Sequence, residues 1–151
     1  MSDYNVATKL VYTLLNSVYK AVAEELGEES WDVLWKSGEL LFNEVREEIG
    51  VDPDDDIPTA ISKLCEYLKK AGLVETIEFK YDESTGILET TVTFPFKISS
   101  YRRELAGPIY LFTSLLSSLL HHLGYEMERE GEHYIHEGNK LSERWRVRKL
   151  E

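Results

Sequence analysis

Residues 74–96 read VETIEFKYDESTGILETTVTFPF, and this stretch decides the fold class. In its first half Ile77, Phe79 and Tyr81 alternate with Glu78 and Lys80; in its second, Leu88, Val92, Phe94 and Phe96 alternate with Glu89, Thr91 and Thr93. A period of two is the mark of a strand with one face buried. Between the halves Asp82-Glu83-Ser84-Thr85-Gly86 carries turn chemistry, so the stretch predicts an antiparallel hairpin. Pro95 has no amide proton for a ladder, so the second strand is expected either to near its end there or to lie on an edge.

Upstream of the hairpin the period is 3.6. Ala7, Leu10, Val11, Leu14, Leu15, Val18, Val22 and Leu26 fall on one helical stripe that stops at Gly27. Ser30 is placed as an N-cap for a second stripe of Trp31, Leu34, Trp35, Gly38, Leu41, Phe42, Val45 and Ile49, which ends at Gly50. Gly38 stands mid-helix, where it costs about 1 kcal/mol against Ala; another part of the chain is expected to approach the backbone there. Downstream, a helix from Pro108 stops at Gly124, and three short strand-like pieces follow, punctuated by Gly131 and by Gly138-Asn139. The reading is one domain over residues 1–151. Its helices lie at about 5–26, 31–49, 57–70 and 108–123, and its strands at about 74–81, 87–96, 125–130, 132–137 and 142–149. Helices and antiparallel strands in separate runs argue an α+β fold, with a sheet of four to five strands packed against four helices.

Composition narrows function. The 151 residues hold 28 Asp and Glu against 17 Lys and Arg, a net charge of −11, which disfavours both nucleic acid and an anionic membrane surface as partners. No run approaches the apolar length of a membrane span, and the first residues lack the basic-then-apolar order of a secretory signal, so we expect a cytoplasmic protein. A single cysteine, Cys65, excludes an internal disulfide and a thiolate-rich zinc site. Between apolar Leu64 and Leu68 it reads as a small buried residue.

The helix from Pro108 to Leu123 is the most informative segment. One face carries Ile109, Phe112, Leu115, Leu116, Leu119, Leu120 and Leu123; the other carries Tyr110, Thr113, Ser114, Ser117, Ser118, His121 and His122. No Lys, Arg, Asp or Glu occurs from Ala106 to Tyr125. A solvated helix face in so acidic a chain would carry charge, so both faces are expected to be covered. The cover for the second is a neighbouring helix of the same chain, a second subunit or a ligand.

Other constellations are weaker. His121, His122, His133 and His136 could gather as metal ligands, yet adjacent helical residues point about 100° apart and strand residues three apart face opposite ways. Asp52, Asp54 and Asp56 match the start of a calcium loop that then fails at Ile57 and Lys63. Ser117 or Ser118 with His121 or His122 lacks a nucleophile elbow and an acid placed by sequence. Arg144, Arg146 and Arg148 share one strand face and Glu126, Glu128 and Glu130 another, which reads as an ion-pair ladder across the sheet. No phosphate-binding glycine loop is present.

The helix Trp-Lys-Ser-Gly-Glu-Leu-Leu-Phe at 35–42, Ala71-Gly72-Leu73, the hairpin, Ala106-Gly107-Pro108 and the closing strands resemble, in their order, the 4-vinyl reductase domain family. That family is related in fold to small subunits of the TRAPP vesicle-tethering complex. The resemblance implies an α+β fold, dimers and a cavity for small hydrophobic molecules. Members often carry C-terminal cysteines, which this chain lacks, so no metal or redox chemistry carries over, and no reductase activity is implied.

The leading expectation is therefore a non-catalytic dimeric module that binds a small hydrophobic ligand and needs no cofactor. Trp35, Phe94, Phe96, Phe112, Leu116 and Leu119, or the Ser114/Ser118 stripe, are its candidate lining. The alternative is an interaction scaffold with a filled core, in which the first helix forms a subunit seam. A metal-dependent or serine enzyme is the third reading.

Overall fold

The computed structural model describes residues 3–95, 107–131, 134–136 and 138–151. Helix α1 (Asp3–Leu26) passes through a single 3-10 turn (Gly27–Glu29) into α2 (Ser30–Ile49). Ser30 is thus the first residue of α2 and not its cap. Glu29 precedes it in helical conformation with no side-chain cap bond, because the 3-10 turn already continues the helical path. Gly50, in the left-handed conformation, ends α2 by donating its amide to Arg46 O at 3.0 Å. Helix α3 (Ile57–Lys70) starts at Asp56, whose Oδ1 accepts from the Thr59 amide at 2.8 Å, with Pro58 in the first turn.

The hairpin follows as β1 (Thr76–Asp82) and β2 (Ile87–Thr93), paired antiparallel with Phe79 opposite Thr90. Gly86 closes it at φ +75° and accepts from the Val147 amide at 2.7 Å. A Cβ there would stand 2.8 Å from Val147 O, so the turn needs glycine both for its dihedral and for the approach of the last strand. Helix α4 (Gly107–His122) comes next, then β3 (Tyr125–Arg129), β4 (Tyr134–His136) and β5 (Lys140–Lys149). All pairings are antiparallel, in the order β1-β2-β5-β3, with β4 also on β5. Strand β5 is the centre: one edge meets β2 over 140–146, while the other is shared, β3 taking 145–149 and β4 taking 140–142. Among the described residues the fold is α+β, a five-stranded antiparallel sheet with four helices.

Helix α4 is central. Residues 112–116 are buried without a break, and Phe112, Leu115, Leu116, Leu119 and Leu120 are each at most 2% exposed. Each contributes about 2 kcal/mol by burial. The helix touches α1, α2, α3 and β3, so the chain itself covers both faces of its buried turns. Charge is absent there because a full charge would have to be desolvated on every side.

The first helix departs from its expected burial. Among the described residues only Leu15, Val22, Ala23 and Tyr19 turn inward, Tyr19 being 8% exposed. Leu10, Val11, Leu14 and Val18 lie on the outside at 69, 44, 61 and 47%. The apolar arc of α1 is wider than the strip that α4 and α2 can cover.

Candidate ligand-binding cleft

Gly38 lets α2 and α4 meet. A Cβ at this position would stand 2.5 Å from Ser114 Oγ and closer still to Ser114 Cβ, so the two helices touch backbone to side chain at that level. Ser114, 2% exposed, is the small residue that accepts the contact. One turn further on, the contacting pairs change size. Phe42 follows Gly38 by four residues, and its ring meets that of His122 at 5.6 Å between centroids, tilted by 57°.

Beside this crossing lies a cleft of about 340 Å³. Its first wall is α2, through Trp35, Glu39, Phe42 and Asn43; its second is the polar edge of α4, through Ser117, Ser118, His121 and His122. Tyr125, Glu126 and Met127 of β3 close the third side. The tight turn at Gly124, which donates its amide to His121 O at 3.0 Å, carries the chain straight from the second wall into the third. The volume falls in the range of small-molecule sites, and the lining mixes aromatic and sulfur surface with a few uncharged polar groups. Glu39 is ion-paired with Lys36 at 3.6 Å, and Glu126 lies 4.0 Å from Arg148, so both carboxylates, each about half exposed, sit at the rim with a cation partner.

Of the residues expected to line a pocket, Trp35 lines this cleft, as does Ser118 of the alternative stripe. Phe94, Leu116 and Leu119 are 0% exposed and Phe112 is 2%; they lie in the core cluster between sheet and helices. Ser114 is spent on the contact with Gly38, and Phe96 lies outside the described residues. Sequence reasoning missed Phe42, Asn43, Tyr125 and Met127. The signal for Phe42 was its place one helical turn after Gly38, on the stripe that faces α4. Tyr125 and Met127 are alternate residues of the strand that follows the α4 stop, and they join the site only through the fold.

The weaker constellations are also located. His121 and His122 line the cleft, His136 stands in β4 opposite Lys140, and His133 lies outside the described residues. Among the described residues no group of three or more His, Cys, Asp or Glu side chains is arranged to hold a metal ion. Ser117 and Ser118 share the cleft with both imidazoles, yet among the described residues no hydrogen bond joins a serine hydroxyl to an imidazole. In the Asp52–Asp56 loop the carboxylates of Asp52, Asp55 and Asp56 are engaged by the loop itself and by α3. Asp52 accepts from the Asp54 amide, Asp55 from the Asp52 amide and from Lys63 at 2.6 Å, and Asp56 from Thr59. On the outer sheet face Arg146 grips Glu130 with two bonds of 3.1 and 3.2 Å, and Arg148 reaches Glu126 and Glu128. Two arginines of the stripe are therefore taken up by carboxylates of β3 and the residue that follows it. Burial pushes the Cys65 thiol up to about 12, and nearby Glu66 adds to this, so the side chain stays a protonated thiol at neutral pH.

The same architecture occurs in solved structures. A trafficking protein particle complex subunit 3 from Naegleria fowleri, covalently bound to palmitic acid, superposes with a TM-score of 0.61 at 11% identity over 96% of this chain and 97% of that one. A point mutant of the T. tengcongensis H-NOX protein gives 0.55 at 13% identity, over 88% of this chain and 72% of its own. A structure concerned with tuning heme redox potential by porphyrin distortion gives 0.52 at 11%, over 85% and 71%. These likenesses establish a fold shared with a TRAPP subunit and with H-NOX domains. No protein-family model matches the chain, and no curated protein matches it.

Proposed function

We propose that this protein is a non-catalytic module that binds a small hydrophobic molecule in the cleft between α2, α4 and β3, and that it works as a homodimer. The observation that carries the reading is the cleft itself: about 340 Å³, walled by Trp35, Phe42, Tyr125 and Met127 and edged by the uncharged Ser117 and Ser118. Support comes from the fold, since the Naegleria subunit was solved with palmitic acid attached and another neighbour concerns a heme whose porphyrin the protein distorts. Membership of the 4-vinyl reductase domain family belongs to the same proposal and rests on the order of elements. A covalent attachment is not part of it, because the one cysteine, with its thiol pushed up to about 12, is a poor nucleophile.

A heme does not fit the described residues. The space between α4 and the sheet is filled by Phe94, Phe112, Leu116 and Leu119, and His122 packs tilted against Phe42 at the cleft margin instead of standing over an apolar slot. The dimer is supported by α1. Its exposed Leu10, Val11, Leu14 and Val18 form one continuous apolar stripe, where isolated exposures would be ordinary. The second reading, a scaffold with a filled interior, is favoured by that packed core.

Native mass spectrometry after gentle purification decides between them. A bound small molecule released on activation supports the module; a protein that never carries or takes up such a molecule supports the scaffold. Sedimentation of the wild type against Leu14→Glu reads the dimer, which the substitution is expected to dissociate.

A further inference from the structure

We infer that the cleft selects its occupant by charge, taking an aromatic or alkyl amine in its protonated form and rejecting the corresponding carboxylate. This deepens the proposed binding reading and rests on it. Three features of the lining point the same way. Trp35 and Tyr125 line one small volume beside the nearly buried Phe42, and the negative face of an aromatic ring attracts a cation. Both formally charged lining residues, Glu39 and Glu126, are carboxylates, and among the described residues no Lys or Arg lines the cleft. The cations that touch these carboxylates, Lys36 and Arg148, are outside the lining and leave each carboxylate with oxygen atoms to spare.

Neutral polar groups fill the remaining edge. Ser117, Ser118 and Asn43 each offer an acceptor to an ammonium group as well as a donor. An anionic head would meet two carboxylates and no lining Lys or Arg, inside a protein of net charge −11. An ammonium head on an apolar body satisfies all three features: its body lies against the aromatic residues and Met127, and its charge lies toward the rim where Glu39 and Glu126 stand.

The test is calorimetric titration of the full chain at pH 8 with three probes on one ring system: 1-naphthalenemethanol, 1-naphthylmethylamine and 1-naphthoate. The alcohol reports the site alone. The amine is expected to bind at least about tenfold more tightly than the carboxylate, with the alcohol between them. In the Glu39→Gln/Glu126→Gln variant the amine-to-carboxylate ratio is expected to fall to within about threefold, while affinity for the alcohol is kept. The Glu75→Gln/Glu78→Gln variant, which removes the same charge away from the cleft, should leave the ratio as it was. Failure of the alcohol to bind overturns the binding reading beneath the inference. Binding of the alcohol with equal affinity for amine and carboxylate overturns the charge selection alone, as does an equal loss of preference in the two double variants.

Discussion

Replacing Gly38 by Ala sets two known effects against each other. In an exposed helix the substitution would stabilise the fold by about 1 kcal/mol, through helix propensity. Here the added Cβ would stand 2.5 Å from Ser114 Oγ and nearer to its Cβ, when ordinary contact begins at 3.4 Å. Ser114 Cβ is fixed to the backbone of α4 and cannot swing aside, so α2 and α4 must separate by about 1 Å. Overpacking of this kind costs about 1–3 kcal/mol, and loosening the buried crossing adds lost contact, so we expect Gly38→Ala to destabilise by about 1–2 kcal/mol net. With a urea slope of about 2 kcal/mol/M, the midpoint should drop by about 0.5–1 M. A double-mutant cycle with Ser114→Gly isolates the contact, because Ser114→Gly removes the clashing atoms. The alanine should then be tolerated, with a coupling of about 1–2 kcal/mol. A Gly38→Ala protein more stable than wild type, or a cycle with no coupling, would refute the close crossing and with it the position of the α2 wall.

Further outcomes follow from other contacts. Thr113→Val keeps the volume but removes the hydroxyl that donates to buried Glu143 at 3.1 Å; a loss of about 1.5–3 kcal/mol is expected in denaturant unfolding. Cys65, with its thiol pushed up to about 12, should react with a thiol reagent at pH 8 far more slowly in the native protein than in denaturant. The Arg146 guanidinium holds the Glu130 carboxyl below its usual 4.5, and bonds from Lys63, Thr59 and Ser84 hold Asp55, Asp56 and Asp82 below 3.8. Groups depressed in the folded state give stability that is complete above their unfolded values. That stability should be lost as pH falls from about 5 through the folded values, because the unfolded chain takes up protons first. Thermal melts between pH 7 and 3 should fall accordingly, with a shallower fall for Glu130→Gln.

The hairpin was legible because a period of two over residues 77–93 has no helical alternative, and its turn needs the glycine found at position 86. Gly38 was legible as an anomaly, a costly residue in mid-helix, but the identity of its neighbour was not: Ser114 is 76 positions away, and only the packed fold brings them together. The uncharged α4 was readable as covered on both faces. What covers it was not readable, since another helix, a second subunit and a ligand all favour small hydroxyls there. The apolar stripe of α1 looked uniform in sequence, yet α4 takes only the side bearing Leu15 and Tyr19 and leaves Leu10 and Leu14 outside. A filled core and a hollow one use the same Phe and Leu residues, so Phe112, Leu116 and Leu119 could not reveal from spacing that the open volume lies on the serine side instead.

Ser118 stands on the α4 wall of the cleft and is only partly buried, so Ser118→Trp places an indole in the cleft with little disturbance to the core. Titrating the wild type and this variant with the neutral probe N-phenyl-1-naphthylamine, and checking that both unfold at the same urea concentration, tests the central claim directly. Saturable fluorescence enhancement is expected in the wild type, with loss of at least about tenfold in affinity in the variant. Equal binding by the two proteins, or no saturable binding by either, would contradict a ligand site between α2, α4 and β3.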